Sequence, residues 1–129
     1  MMKALISVRP LLWFDAATCV TMGALLAAAA SPLSGLLGLP SVLLQSCAVL
    51  LVVFAGFVAF IATRGNPAGG TKLIAAANIA WVVASFVLLA GPWLTPTLLG
   101  TAFIAVQALA VAGIAALELA AVRAVPASA

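Results

Sequence analysis

Apolar residues run almost without interruption through four stretches of this chain, about residues 11–30, 42–62, 72–90 and 97–122, and polar residues gather between them. Each stretch is near the ~20 residues that an α-helix needs to cross a hydrocarbon core of about 30 Å. The pattern predicts an all-α membrane protein, a four-transmembrane-helix up-down bundle forming a single domain over residues 1–129. One sustained polar stretch, residues 63–72, divides it into two apolar halves. Gly65, Asn66, Pro67, Gly69 and Gly70 are turn formers that interrupt helix there, with Arg64 and Lys72 on either side.

The other two connections are uncharged. Residues 31–40 read as a short outer-surface link with one helical turn lying in the interface, Ser31 suited to cap it and Pro32 to its first helical position. By the same logic Ser41, Thr71 and Thr95 are the expected caps of the second, third and fourth spans. Gly91-Pro92 stops the third, and Pro96 sits in the first turn of the fourth. That last span is longer than the bilayer core requires, so it tilts or extends past the membrane surface.

Composition strengthens the membrane reading. Hydrophobic residues make up 67% of the chain and charged ones 5%, and the mean hydropathy is +1.41. Soluble domains carry about 25% charged residues. No polar segment is long enough for an extramembrane enzyme domain. The competing reading of the first stretch is a secretory signal peptide, with Lys3 and Arg9 before it and Ala28, Ala29 and Ala30 preceding Ser31. Asp15 inside the apolar region, and the length of that region, argue against it.

Charge then sets an orientation. The basic residues are Lys3 and Arg9, Arg64 and Lys72, and Arg123, and none falls in 31–41 or 91–96. Basic loops stay in the cytoplasm, so both termini are expected there. The net charge of +3 reflects this topology; no basic face outside the bilayer is left for nucleic acid.

Chemistry-bearing residues are few. The chain has no histidine, which removes imidazole haem ligation, His-based metal sites and Ser-His catalysis. Cys19 and Cys47 lie at different depths and read as packing residues. No nucleotide, redox or metalloprotease motif is present. The expectation is no catalytic residue, no cofactor and no metal. Asp15, Asn78, Ser85, Gln107 and Glu118 form a candidate polar cluster, and Arg9, Arg64, Lys72 and Arg123 a candidate basic rim. Asn78, Trp81 and Ser85 share one face of the third helix, and Gln107 and Glu118 one face of the fourth. Ser85 and Gln107 fall near mid-membrane and are expected to hydrogen-bond.

Asp15 and Glu118, each placed about one turn from a helix end, have two readings: a carboxylate exchanging a proton or cation in a polar cavity, or a structural clamp to neighbouring basic side chains. The clamp is favoured. Alanine rows at every fourth position (Ala76, Ala80, Ala84 and Ala108, Ala112, Ala116, Ala120), with Cys19, Gly23 and Ala27 in the first span, suggest close packing, tightest between the third and fourth spans.

Asp15 early in the first span, the run from Asn78 through Trp81 to Ser85, Leu94-Thr95 and Gln107-Ala108 resemble a type of small bacterial four-span membrane protein. The likeness covers most of the chain and implies no activity. Small multidrug transporters of similar length carry a glutamate in the first span with tyrosine and tryptophan around the pocket; here the acid is Asp15 and tyrosine is absent. Two functions are therefore weighed. One is a non-catalytic accessory or interaction subunit that packs against a membrane-protein partner or a copy of itself in the lipid bilayer. The other is a homo-oligomeric small-solute transporter or channel using Asp15 or Glu118.

Overall fold

Helices form wherever the apolar stretches predict them, and glycine or proline marks most of the breaks. The structure, a computed structural model, describes residues 2–124, with side chains from Val8 onward, so Lys3 and residues 125–129 lie outside the described side chains. Five helices follow in order: α1 (Met2–Ala28), α2 (Ala30–Leu37), α3 (Ser41–Ala62), α4 (Ala68–Ala90) and α5 (Leu98–Arg123). Four of them are long and apolar enough to cross a membrane, α1 contributing Val8–Ala28.

Helix starts differ from the expected ones in a consistent way. α1 runs through Pro10 instead of beginning after it; a proline in a spanning helix costs few hydrogen bonds when neighbouring groups compensate. α2 has two turns where one was expected, and it begins at Ala30 with no side-chain cap, not at Ser31. Pro40 and Pro67 take the capping positions assigned to Ser41 and Thr71. Thr71 lies inside α4 and its hydroxyl donates back to the Pro67 carbonyl at 2.8 Å. Thr97, not Thr95, caps α5, accepting from the Gly100 amide at 3.1 Å.

The four long helices pack as antiparallel pairs, α1 with α3 and α4 with α5, and α1 touches every other helix. The α1–α3 contact is the most extensive and α4–α5 comes second, so the tightest seam is not the one the alanine rows suggested. Buried positions recur at steps of three, four or seven: Val8, Leu12, Asp15, Cys19 and Leu26 in α1; Leu44, Ala48, Ala55, Val58 and Ala62 in α3; Thr71, Ile74, Asn78 and Ser85 in α4; Ile104, Ala108, Ala115, Glu118 and Val122 in α5. That is the seam of helices packed nearly antiparallel.

A strict four-residue repeat instead drifts around a helix by about 40° per step. Ala76, Ala80 and Ala84 accordingly face outward, as do Ala27, Ala116 and Ala120, while Ala108 is buried and Ala112 half-buried. Ala112 lines an open apolar groove of about 250 Å³ between α4 and α5, opposite Ile79, Val82 and Val83. Ala112→Leu should therefore fill the groove and change stability by no more than about 0.5 kcal/mol. Ala108→Leu, at a position with no exposed surface, should destabilise by about 1–3 kcal/mol through overpacking. Thermal unfolding of both variants in detergent checks the pair.

α2 is locked to the start of α5 through the backbone. The Thr97 amide donates to the Leu37 carbonyl at 3.0 Å and the Thr97 hydroxyl to the Leu36 carbonyl at 2.8 Å, so two open carbonyls at the end of α2 are satisfied by the cap of α5. Gly38 ends α2 in the left-handed conformation, at φ 66°. Gly100 lies directly on the Leu37 carbonyl, where a Cβ would overlap it.

At the opposite end of the bundle, where residues 63–67 join α3 to α4, Arg9 reaches across from α1. Its guanidinium donates to the Ala62 carbonyl at 2.8 Å and the Gly65 carbonyl at 3.0 Å, placing positive charge at the C-terminus of α3, where the helix dipole favours it. Between these two ends the core is layered. Leu26, Leu37, Leu44 and Ile104 cluster near α2. Val8, Leu12, Val58 and Ile74 cluster near the 63–67 connection. The polar side chains lie between.

Candidate functional site

Asp15, Asn78 and Glu118 come from three different helices and meet in the core. Asn78 sits one turn beyond Ile74 in α4 and Glu118 one turn before Val122 in α5, so the same three-four seam that buries those apolar residues also buries the polar ones. Asp15 is 2% exposed, Asn78 6% and Glu118 0%. The Asn78 side-chain amide donates to both acids, to Asp15 Oδ2 at 3.1 Å and to Glu118 Oε1 at 2.8 Å. Cys19, four residues after Asp15 on the same face, donates its thiol to Asp15 Oδ1 at 3.5 Å. One Asn78 nitrogen thus bridges the two carboxyl groups. Glu118 Oε2 is fully buried and, among the described residues, has no hydrogen-bond partner.

This geometry replaces the expected clamp. Among the described residues, neither acid is paired with a basic side chain. Arg9 is committed to the end of α3. Arg64 lies over the Phe60 ring, 5.2 Å from its centre, and Lys72 and Arg123 are exposed. Direction explains the outcome. Six residues separate Arg9 from Asp15 and five separate Glu118 from Arg123, which turns each basic side chain roughly 120–140° away from its acid. Depth contributes as well. With α1 starting before Pro10, Asp15 lies seven residues past Val8, about 10 Å along the helix, instead of one turn from its end.

A second polar group lies toward α2. The Trp81 indole donates to Gln107 Oε1 at 2.8 Å, and Gln107 Nε2 donates to Ser85 Oγ at 3.0 Å and to the Ile104 carbonyl at 2.9 Å. Ser85 in turn donates to the Trp81 carbonyl at 2.8 Å. The Ser85–Gln107 hydrogen bond expected from their depth is present. The five candidate polar residues therefore form two groups, Asp15–Asn78–Glu118 joining α1 to α4 and α5, and Ser85–Gln107 with Trp81 joining α4 to α5.

Sequence reasoning passed over Cys19 and the Trp81–Gln107 contact, although the four-residue spacing from Asp15 and the shared face of Asn78, Trp81 and Ser85 carried the signal. Cys19 and Cys47 are both free thiols. Among the described residues no three His, Cys, Asp or Glu side chains converge as a metal site would need. The four basic side chains of the expected rim do share one end of the bundle, the end of the 63–67 connection, because α1 and α4 begin there and α3 and α5 finish there. Compared with protein-family models, curated proteins and solved structures, the chain finds no match.

Proposed function

We propose that the chain is a non-catalytic integral protein of a bacterial inner membrane, with both termini cytoplasmic, acting as an accessory or interaction subunit through helix packing. The observation behind this reading is how its core polar groups are spent. Asn78 ties α4 to α1 and α5, and Gln107 ties α5 to α4, so they join helices to one another. Lipid supplies no hydrophobic drive for helix association, and such contacts, with close packing, provide it.

The surface of the spans is apolar, with Val42, Val49, Val53, Leu109 and Leu117 each more than half exposed, as lipid or another membrane helix requires. Trp13 and Trp93 are exposed toward opposite ends, the placement of interfacial anchors. Orientation rests on the basic end described above.

A transporter reading is favoured by one specific feature, the orphaned Glu118 oxygen, because intramembrane acids mark ion pathways more often than structure. Two measurements separate these ideas. Single cysteines placed at Thr95 or Asn66, with Cys19 and Cys47 replaced by alanine, should react with an impermeant reagent from outside at Thr95 and not at Asn66. Labelling at Asn66 from outside reverses the topology. In proteoliposomes the accessory reading predicts no proton or alkali-cation flux above that of empty vesicles. A flux that Glu118→Gln abolishes would establish the transporter instead.

A further inference from the structure

We propose that Asp15 and Glu118 bind a single proton between them, as an acid–carboxylate pair that Asn78 holds in place. Geometry carries this. Two buried carboxyl groups are bridged by the same Asn78 nitrogen, in a core that also buries Leu12, Ile74 and Val58 completely. Like charges that close, out of water and without a cation, repel strongly, and one proton between them removes the repulsion. The donors on the page leave room for it. Asp15 accepts from Asn78 and Cys19 and Glu118 Oε1 accepts from Asn78, whereas among the described residues Glu118 Oε2 accepts from nothing. A proton on Oε2 turns that orphan into a donor.

The groups facing the pair are few. α1 contributes Asp15 and the Cys19 thiol, α4 contributes neutral Asn78, and α5 contributes Glu118. α2 carries no titratable side chain, and among the described residues the one charge attached to α3 through hydrogen bonds, Arg9, sits on the Ala62 and Gly65 carbonyls. The proton thus belongs to the joint between the α1–α3 and α4–α5 pairs, and its loss would place a second negative charge there.

The sequence allows a direct test on the unmodified protein, because its two acidic side chains are one aspartate and one glutamate. Chain made with carboxyl-carbon-13 glutamate reports Glu118 alone, and chain made with carboxyl-carbon-13 aspartate reports Asp15 alone. Infrared spectra of each, in lipid nanodiscs at neutral pH, distinguish a protonated carboxyl from a carboxylate by the isotope-shifted band. The expected result is a protonated band from the glutamate-labelled sample and a carboxylate band from the aspartate-labelled one. The reverse assignment also supports the shared proton and moves it to Asp15. Two carboxylate bands, or two protonated ones, overturn the proposal. In Glu118→Gln, which keeps the shape and supplies a permanent donor, the aspartate-labelled sample should show a carboxylate band, and a protonated one there would likewise overturn it.

Discussion

Replacing Asn78 with leucine should destabilise the protein by about 3 kcal/mol, the range seen when one partner of a buried charged group is removed and the other is left without compensation. Among the described residues Asn78 is the one side chain that donates to both acids, and an interhelical hydrogen bond between neutral groups in a membrane averages only about 0.6 kcal/mol. The difference between those figures decides what the residue does. If Asn78 merely joins helices, the loss will be near the smaller value; if it makes two buried carboxyl groups tolerable, it will approach the larger. Reversible unfolding in mixed micelles measures it. Removing the acids as well, in Asp15→Leu/Asn78→Leu/Glu118→Leu, should recover most of the loss, since apolar replacement of a buried ionic group is often neutral or better. A triple variant no more stable than Asn78→Leu alone would show that shape and not charge is at stake.

A comparable effect is expected from a change of one methyl group. Gly100→Ala puts a Cβ onto the Leu37 carbonyl, and neither neighbour is free to move, since that carbonyl already accepts from Thr97 and Thr97 also holds Leu36. Overpacking against backbone costs up to about 3 kcal/mol, and separating α2 from α5 would also free two carbonyls in an apolar setting. Gly113→Ala provides the control on the same helix. A Cβ there meets nothing within 4 Å, so the substitution should stabilise by about 0.5–1 kcal/mol through helix propensity alone. Equal melting temperatures for the two variants would mean that the α2–α5 lock does not contribute to stability.

The reach of the sequence differed between features for physical reasons. Spans were legible because a bilayer demands length and hydrocarbon, and the chain advertises both; α3, α4 and α5 begin and end within a few residues of the expected limits. Which face of each span is buried was not legible. In a soluble helix the polar side announces itself, whereas Ala76 on the outer face and Ala75 in the core have the same chemistry. Only the spacing of the polar residues betrays the seam, since Asp15, Asn78, Ser85 and Glu118 all lie on it.

Serine or threonine at the start of a span is a poor marker of its cap here. Proline occupied two of those positions, Pro40 and Pro67, and threonine does cap α5, but two residues further on at Thr97. The Ser85–Gln107 contact was predictable because two polar groups at one depth in hydrocarbon have few alternatives. The partners of Asp15 and Glu118 were not, because proximity in sequence to Arg9 and Arg123 suggested a pairing that helical rotation forbids.

The contribution of α1, α4 and α5 to one polar joint also bears on how the protein is made. Asp15 leaves the ribosome about 100 residues ahead of Glu118, an interval of roughly 5–20 s at ordinary rates of synthesis. The α1–α3 pair can form the seam between its own two helices once Ala62 emerges, yet its carboxyl group must wait in the membrane for an amide and an acid still to be translated. The first hairpin is thus closed along its own seam and unfinished in polarity. Insertion of the second hairpin, by supplying Asn78 and Glu118 together, makes assembly of the whole an event that the nascent protein registers at a single residue.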